Sequence, residues 1–150
     1  MDMTVWEYLF TVADLKGVPK SERKSMIGDV MEKVMITNMK DRLIKNLSKG
    51  YKQRVGIAQT LIGNPDIIIL DEPTSGLDGA NMRNVSQIIR KLAGMGRTIL
   101  VITHDAECAL SCCDRAIRLE NGAITDDFPI HSVDILLDKL GIRAVAKEAF

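Results

Sequence analysis

Asp71 and Glu72 stand side by side after four consecutive aliphatic residues, Ile67 to Leu70, and just before Pro73 and Ser75-Gly76. Three of those aliphatics are β-branched, which predicts a strand buried on both faces. The proline and glycine forbid the strand from continuing. Carboxylates delivered to the C-terminal edge of such a strand lie where open α/β sheets hold ligands. The chemistry suggested is metal-assisted phosphoryl transfer: one carboxylate holds Mg²⁺ and the next polarises a water. The alternative is an acidic surface turn, which rarely follows so apolar a run. His104 closes a second apolar run, Thr98 to Ile102, and so is predicted at the same sheet edge, able to donate to a phosphoryl oxygen. Ser48-Lys49-Gly50 opens a predicted helix, whose unpaired N–H groups and dipole favour an anion. Taken singly, a polar residue at a strand end accounts for His104 and an ordinary cap for Ser48.

The elements that carry these groups follow from periodicity and caps. Thr4-Val5-Trp6-Glu7 is a capping box with Met3 and Tyr8 placed as a hydrophobic staple. Val5, Tyr8, Leu9 and Val12 then recur on one helical face, and Gly17 and Pro19 stop the helix. A second helix is predicted from near Ser21, burying Met26, Ile27, Val30 and Val34. The helix after Ser48 buries Val55, Ala58, Leu61 and Ile62, and Asn64-Pro65 turns the chain into the acidic strand. After Asp78 a helix places Met82, Val85, Ile88, Ile89 and Leu92 inward and ends at Gly94 and Gly96. Thr98 to Ile102 reads as a second buried strand. A short helix follows, then a strand near Ala116 to Leu119, and Asn121-Gly122 signals a hairpin. From Phe128 the chain reads as a tail, with Val133, Leu136, Leu137 and Leu140 at helical spacing. Trp6 reads as packing and not as a base-stacking platform.

A chain of 150 residues fits one domain that buries about 70% of its unfolded surface. It is 46% hydrophobic and 27% charged, ordinary for a globular protein. Lys+Arg and Asp+Glu balance at 20 each, so no general field favours nucleic acid or anionic lipid. No apolar run approaches the roughly 20 residues of a membrane helix, and no signal pattern opens the chain. Three cysteines, two of them adjacent, do not make a disulfide framework. These features predict a cytoplasmic protein. His104, Cys108 and Cys112 have the spacing of a metal stripe, but His104 precedes the helix and a fourth ligand is lacking, so the cysteines read as small buried residues.

Order and spacing together closely resemble the ATPase subunit of ABC transporters, over Met1 to about Asp127. Leu47-Ser48-Lys49-Gly50-Tyr51 looks like that family's signature sequence. Ile67 to Asp71 with Glu72 looks like its Walker B strand and catalytic glutamate. Ser75-Gly76-Leu77-Asp78 matches its D-loop and His104 its switch histidine. The resemblance implies a P-loop NTPase-type (RecA-like) parallel α/β sheet, here its C-terminal portion, with a small helical subdomain. The expected division is 1–63 for the helical part with the signature helix, 64–127 for the ATPase core and 128–150 for the tail. The implied ligands are ATP and Mg²⁺. Glu72 is expected to orient and deprotonate the attacking water, Asp71 to hold Mg²⁺ through water, and His104 to contact the γ-phosphate. Ser48, Lys49, Gly50 and Tyr51, with Asp78, are expected at the ATP held by the opposite subunit of a head-to-tail dimer. Tyr51 lacks the hydrogen bonds of the glutamine amide usual there. Transmembrane permease subunits are the other implied partners, at the inner face of the cell membrane. The wording Lys49-Gly50-Tyr51 is similar to exporter-type members.

The phosphate cradle G-x-x-x-x-G-K-[ST] is nowhere in the sequence. In the family it precedes the helical subdomain, with the adenine-stacking aromatic and the Q-loop glutamine, so the resemblance implies an N-terminally truncated piece. Without the cradle the phosphates lose their main charge stabilisation, and the isolated chain is expected neither to hold ATP well nor to hydrolyse it. The Walker B strand is expected to lose a parallel neighbour and leave apolar surface open. A competing reading is a non-catalytic module that uses Ser48 and Gly50 to complete the nucleotide site of an intact partner. Relatives acting in DNA repair or translation carry long coiled coils or paired ATPase domains, and neither is present here.

Overall fold

A computed structural model describes residues 2–130. Helix α1 (Val5–Leu15) opens on the expected capping box: Glu7 N–H donates to Thr4 Oγ1 at 3.2 Å and Thr4 N–H to Glu7 Oε2 at 2.8 Å. Its i, i+4, i+8 positions Val5, Leu9 and Ala13 are buried. Helix α2 (Arg23–Lys33) ends at Met35, which takes a left-handed φ of +56°. Ile36 N–H then reaches back to the Met31 carbonyl at 2.9 Å, and Met35 N–H to that of Glu32 at 3.1 Å. This closing motif satisfies the last carbonyls of α2. Two short 3₁₀ turns, Thr37–Met39 and Ile44–Asn46, lead to helix α3 (Lys49–Leu61).

Strand β1 (Ile67–Asp71), helix α4 (Gly79–Gly94) and strand β2 (Thr98–Ile102) form a crossover unit in which β1 and β2 pair in parallel, Asp71 opposite Ile102. Helix α5 (Ala106–Cys112) follows, then an antiparallel hairpin of β3 (Arg115–Glu120) and β4 (Ala123–Pro129). Asn121 and Gly122 both have positive φ, 51° and 79°, as the tight hairpin turn requires. Ile27, Met31, Ile57, Ile68, Ile88 and Leu92 belong to one core that joins α2, α3, β1 and α4.

Two expectations are corrected. The first strand is not buried on both faces: Ile68 and Leu70 are buried, whereas Ile67 and Ile69 are 65% and 60% exposed. Strand β2 alternates in the same sense, with Leu100 and Ile102 each 50% exposed and Ile99 and Val101 half-buried. The physical reason is that α3 and α4 pack against the sheet from one side, and alternation along a strand then leaves every second residue uncovered. Among the described residues β1 pairs with β2 alone, and its apolar Ile67 and Ile69 stay open as expected. A cleft of about 600 Å³, lined by Thr98–Val101 on one side and Arg115–Arg118 on the other, lies between β2 and the hairpin. The other correction is that Phe128 and Pro129 continue β4 where a tail was expected, because Phe128 is buried. Met82 is only half-buried on α4. The spacing of Val133, Leu136, Leu137 and Leu140 lies outside the described residues.

Candidate functional site

Parallel register places the two chemical groups of the sheet together. Asp71 and Ile102 are opposite each other at the strand ends, so the residues that follow each leave the sheet at one edge. Glu72 N–H donates to the Ile102 carbonyl at 2.8 Å, extending the ladder one step. The backbone of Glu72 then turns into the left-handed region, φ +46°. For a residue with a side chain that conformation costs roughly 1–3 kcal/mol and is found where surrounding structure enforces it, often at functional sites. The turn aims the carboxylate along the edge toward β2 and not out past Pro73.

There Glu72 Oε1 lies 2.6 Å from His104 Nδ1 and accepts from the His104 backbone N–H at 3.2 Å. Its other oxygen accepts from the Thr103 hydroxyl at 3.4 Å. The hydrogen bond from His104 holds the Glu72 carboxyl below the usual carboxylate range, although partial burial pulls the other way. The same bond, then the Glu72 charge, raises His104 above the usual imidazole value. Each stabilises the charged form of the other. The His104 side chain is 84% exposed and that of Glu72 33%, so the imidazole faces solvent while the carboxylate sits behind it. Asp71 is exposed at the end of β1. A single carboxylate beside bound phosphates and waters is the donor set that suits Mg²⁺. Asp71 is the residue that would hold it. The ion would supply charge neutralisation for a transferring phosphoryl group.

A second group gathers where α3 begins. Ser48 caps the helix, accepting from Tyr51 N–H at 3.4 Å. Asp78 caps α4, accepting from Asn81 N–H at 2.8 Å, and hydrogen bonds from Asn81 hold its carboxyl below the usual range. The two helix starts are in contact. Gly50 is buried, and a methyl group there would come within 2.6 Å of Asn81 Cγ. Lys49 lays its ammonium against Gly76, whose φ of +63° suits glycine. Among the described residues the site residues expected from sequence therefore form two assemblies: Asp71, Glu72 and His104 on the sheet edge, and Ser48, Lys49, Gly50 and Tyr51 with Asp78 at the paired helix starts.

Sequence reading missed Thr103, Asn81 and Arg54. Asn81 stands three residues after the Asp78 cap, a spacing that lets both its amide groups reach Asp78, and this was legible. Arg54, three residues after Tyr51, lies over the Tyr51 ring at 4.6 Å, an i, i+3 pair that spacing alone permits. The cysteines are buried or half-buried, with Cys108 and Cys112 Sγ 4.0 Å apart. Their mutual hydrogen bond lowers Cys108 to about 7 and raises Cys112.

A family model described as ABC transporter matches residues 1–75. The chain is 41% identical over 121 residues to an ABC transporter ATP-binding protein of Methanocaldococcus jannaschii, covering 81% of this chain and 46% of that protein. It is 38% identical over 120 residues to the methionine import ATP-binding protein of Corynebacterium jeikeium, covering 79% and 33% respectively. A putative ABC transporter ATP-binding protein of Methanosarcina acetivorans is 35% identical over 125 residues, covering 83% of this chain and 20% of its own length. The chain thus spans less than half the length of each of these relatives. Among the described residues no helix is long and apolar enough to cross a membrane.

Proposed function

The chain belongs to the ABC transporter family, and on that premise we propose that it is sequence of an ATPase subunit that couples ATP binding and hydrolysis to transport through membrane permease partners, at the inner face of the membrane. The observation that carries this reading is the Glu72–His104 contact at the edge of a parallel sheet, with Asp71 one residue away. In this role Glu72 takes the proton of the attacking water. His104, on the solvent side of the carboxylate, contacts the γ-phosphoryl oxygens and registers their departure. Ser48, Lys49, Gly50 and Asp78 meet the nucleotide held by a second subunit across a head-to-tail interface. The Lys49-Gly50-Tyr51 wording supports export; methionine import appears in the names of some relatives, and transport direction separates the two.

A second reading is favoured by the intact packing of Gly50 on Asn81: a module that completes a partner's nucleotide site without using its own. Either reading predicts weak ATP binding and no turnover by these 150 residues alone, since the sequence has no G-x-x-x-x-G-K-[ST] cradle. The test is to measure ATP turnover by the chain alone and its association with an intact ABC ATPase subunit, with and without ATP. ATP-dependent heterodimers without turnover by the chain favour the module. Turnover by the chain alone that Glu72→Gln abolishes would show that its residues supply a cradle of another kind.

A further inference from the structure

Arg54 is buried, 7% exposed, in a place where a charge needs partners. It has three. Its guanidinium lies 4.6 Å over the Tyr51 ring. Nη1 donates to the Met35 carbonyl and Nη2 to Asn81 Oδ1, each at 3.4 Å. Nε is buried with no hydrogen-bond partner, so the group is held by the two Nη atoms and the ring. Asn81 continues the chain of contacts: its Nδ2 and its backbone N–H each donate to Asp78 at 2.8 Å. A single connected path therefore runs from the left-handed residue that ends α2, through Arg54 in the second turn of α3, to the cap of α4.

The path crosses the place where Gly50 and Asn81 touch. Asn81 Oδ1 faces Gly50 and Arg54 together, so Arg54 on one side and Asp78 on the other hold the rotamer that lets Gly50 approach. Resting on the reading of Ser48, Gly50 and Asp78 as nucleotide contacts, we propose that Arg54 and Asn81 are positioning residues. With the Tyr51 ring they form a strut that sets the Ser48–Gly50 turn at a fixed distance from Asp78, so that both meet one nucleotide phosphate group on a second subunit. Tyr51 in this arrangement serves Arg54 and not the nucleotide. Its ring braces the guanidinium, which accounts for an aromatic residue where an amide side chain is usual. The strut also ties the end of α2 to that turn, so movement of the α1–α2 helices reaches the nucleotide contacts directly.

Arg54→Met, Asn81→Ala, the double variant and Arg54→Lys test this in the full chain. One measurement is ATP-dependent association with an intact ABC ATPase subunit whose own catalytic glutamate is replaced by glutamine. The other is backbone amide exchange at Gly50 and Asn81 in the chain by itself. Each single variant is expected to weaken association about tenfold, the double no further than either single because they cut one path. Exchange at Asn81 should quicken about tenfold in Arg54→Met, the loss expected for one charge-assisted hydrogen bond. Arg54→Lys keeps the charge but not the fork, and should behave like Arg54→Met. Should Arg54→Met fail to fold, Asn81→Ala with its measured association still decides. Wild-type association left intact by the single variants overturns the strut, and so do losses that multiply in the double. A wild-type chain that does not associate under ATP overturns instead the nucleotide reading on which the proposal rests.

Discussion

His104 Nδ1 and Glu72 Oε1 lie 2.6 Å apart across the ends of two parallel strands, although 32 residues separate them in the chain. The contact links a solvent-facing imidazole to a partly covered carboxylate and shifts both toward their charged forms. Its strength is measurable by titration.

The imidazole of His104 should titrate above the ordinary histidine value of about 6.5 when followed by NMR, and Glu72→Gln should return it close to that value. The linked stability has a definite window. The histidine contribution is complete below the ordinary imidazole value and is lost as pH rises through the raised one. The glutamate contribution is complete above the ordinary carboxylate value and is lost as pH falls through the lowered one. The pair therefore stabilises the fold between those limits, and only modestly, because it is exposed. An unshifted His104 would show that the contact does not persist in solution.

Gly50→Ala should destabilise the chain by about 1–3 kcal/mol, the usual cost of inserting a methyl into a filled site. The new Cβ meets the Asn81 side chain, itself held by Asp78. A urea midpoint equal to that of the wild type would mean that Asn81 can move away at little cost.

Ile67, Ile69, Leu100 and Ile102 form an exposed apolar row on one face of the sheet. Faces of this kind drive association, so sedimentation velocity should show self-association that rises with concentration. Ile69→Thr with Leu100→Thr should reduce it while leaving the buried Ile68 and Leu70 face untouched. Strictly monomeric behaviour of the wild type at high concentration would contradict this.

Cysteine reactivity should follow access before acidity. Cys108 is lowered to about 7 by its bond from Cys112 yet is fully buried, while Cys113 is half-buried. Iodoacetamide at neutral pH should label Cys113 first and Cys108 only as fast as the fold opens. Rapid labelling of Cys108 in the folded chain would show that α5 opens far more readily than its packing implies.

Much of this molecule is legible in its sequence. Thr4 and Glu7 name their own helix start, as Ser48 and Asp78 do, because a cap is a contact over three residues and needs no tertiary partner. Asn121-Gly122 names its turn for the same reason. The apolar run ending in Asp71-Glu72 marks a strand and the edge where its carboxylates emerge. The error lay in coverage: the run Ile67 to Leu70 has no polar alternation, yet only one face is packed. A residue's type says what it tolerates, and the number of layers over it depends on what else is present.

Tertiary structure alone decided three further features. The left-handed turn at Glu72 is one, since no local preference puts a glutamate at positive φ. The buried Arg54 bridging Met35 and Asn81 is another, for its partners are 19 and 27 residues away. The direct contact of Glu72 with His104 is the third, since the sequence placed them only at the same sheet edge. By itself the sequence determined which groups exist and which caps and turns present them, because those are short-range choices of hydrogen bonding and periodicity. Which of them meet was settled by parallel pairing, through the crossover helix that brings Ile102 opposite Asp71 and His104 to Glu72.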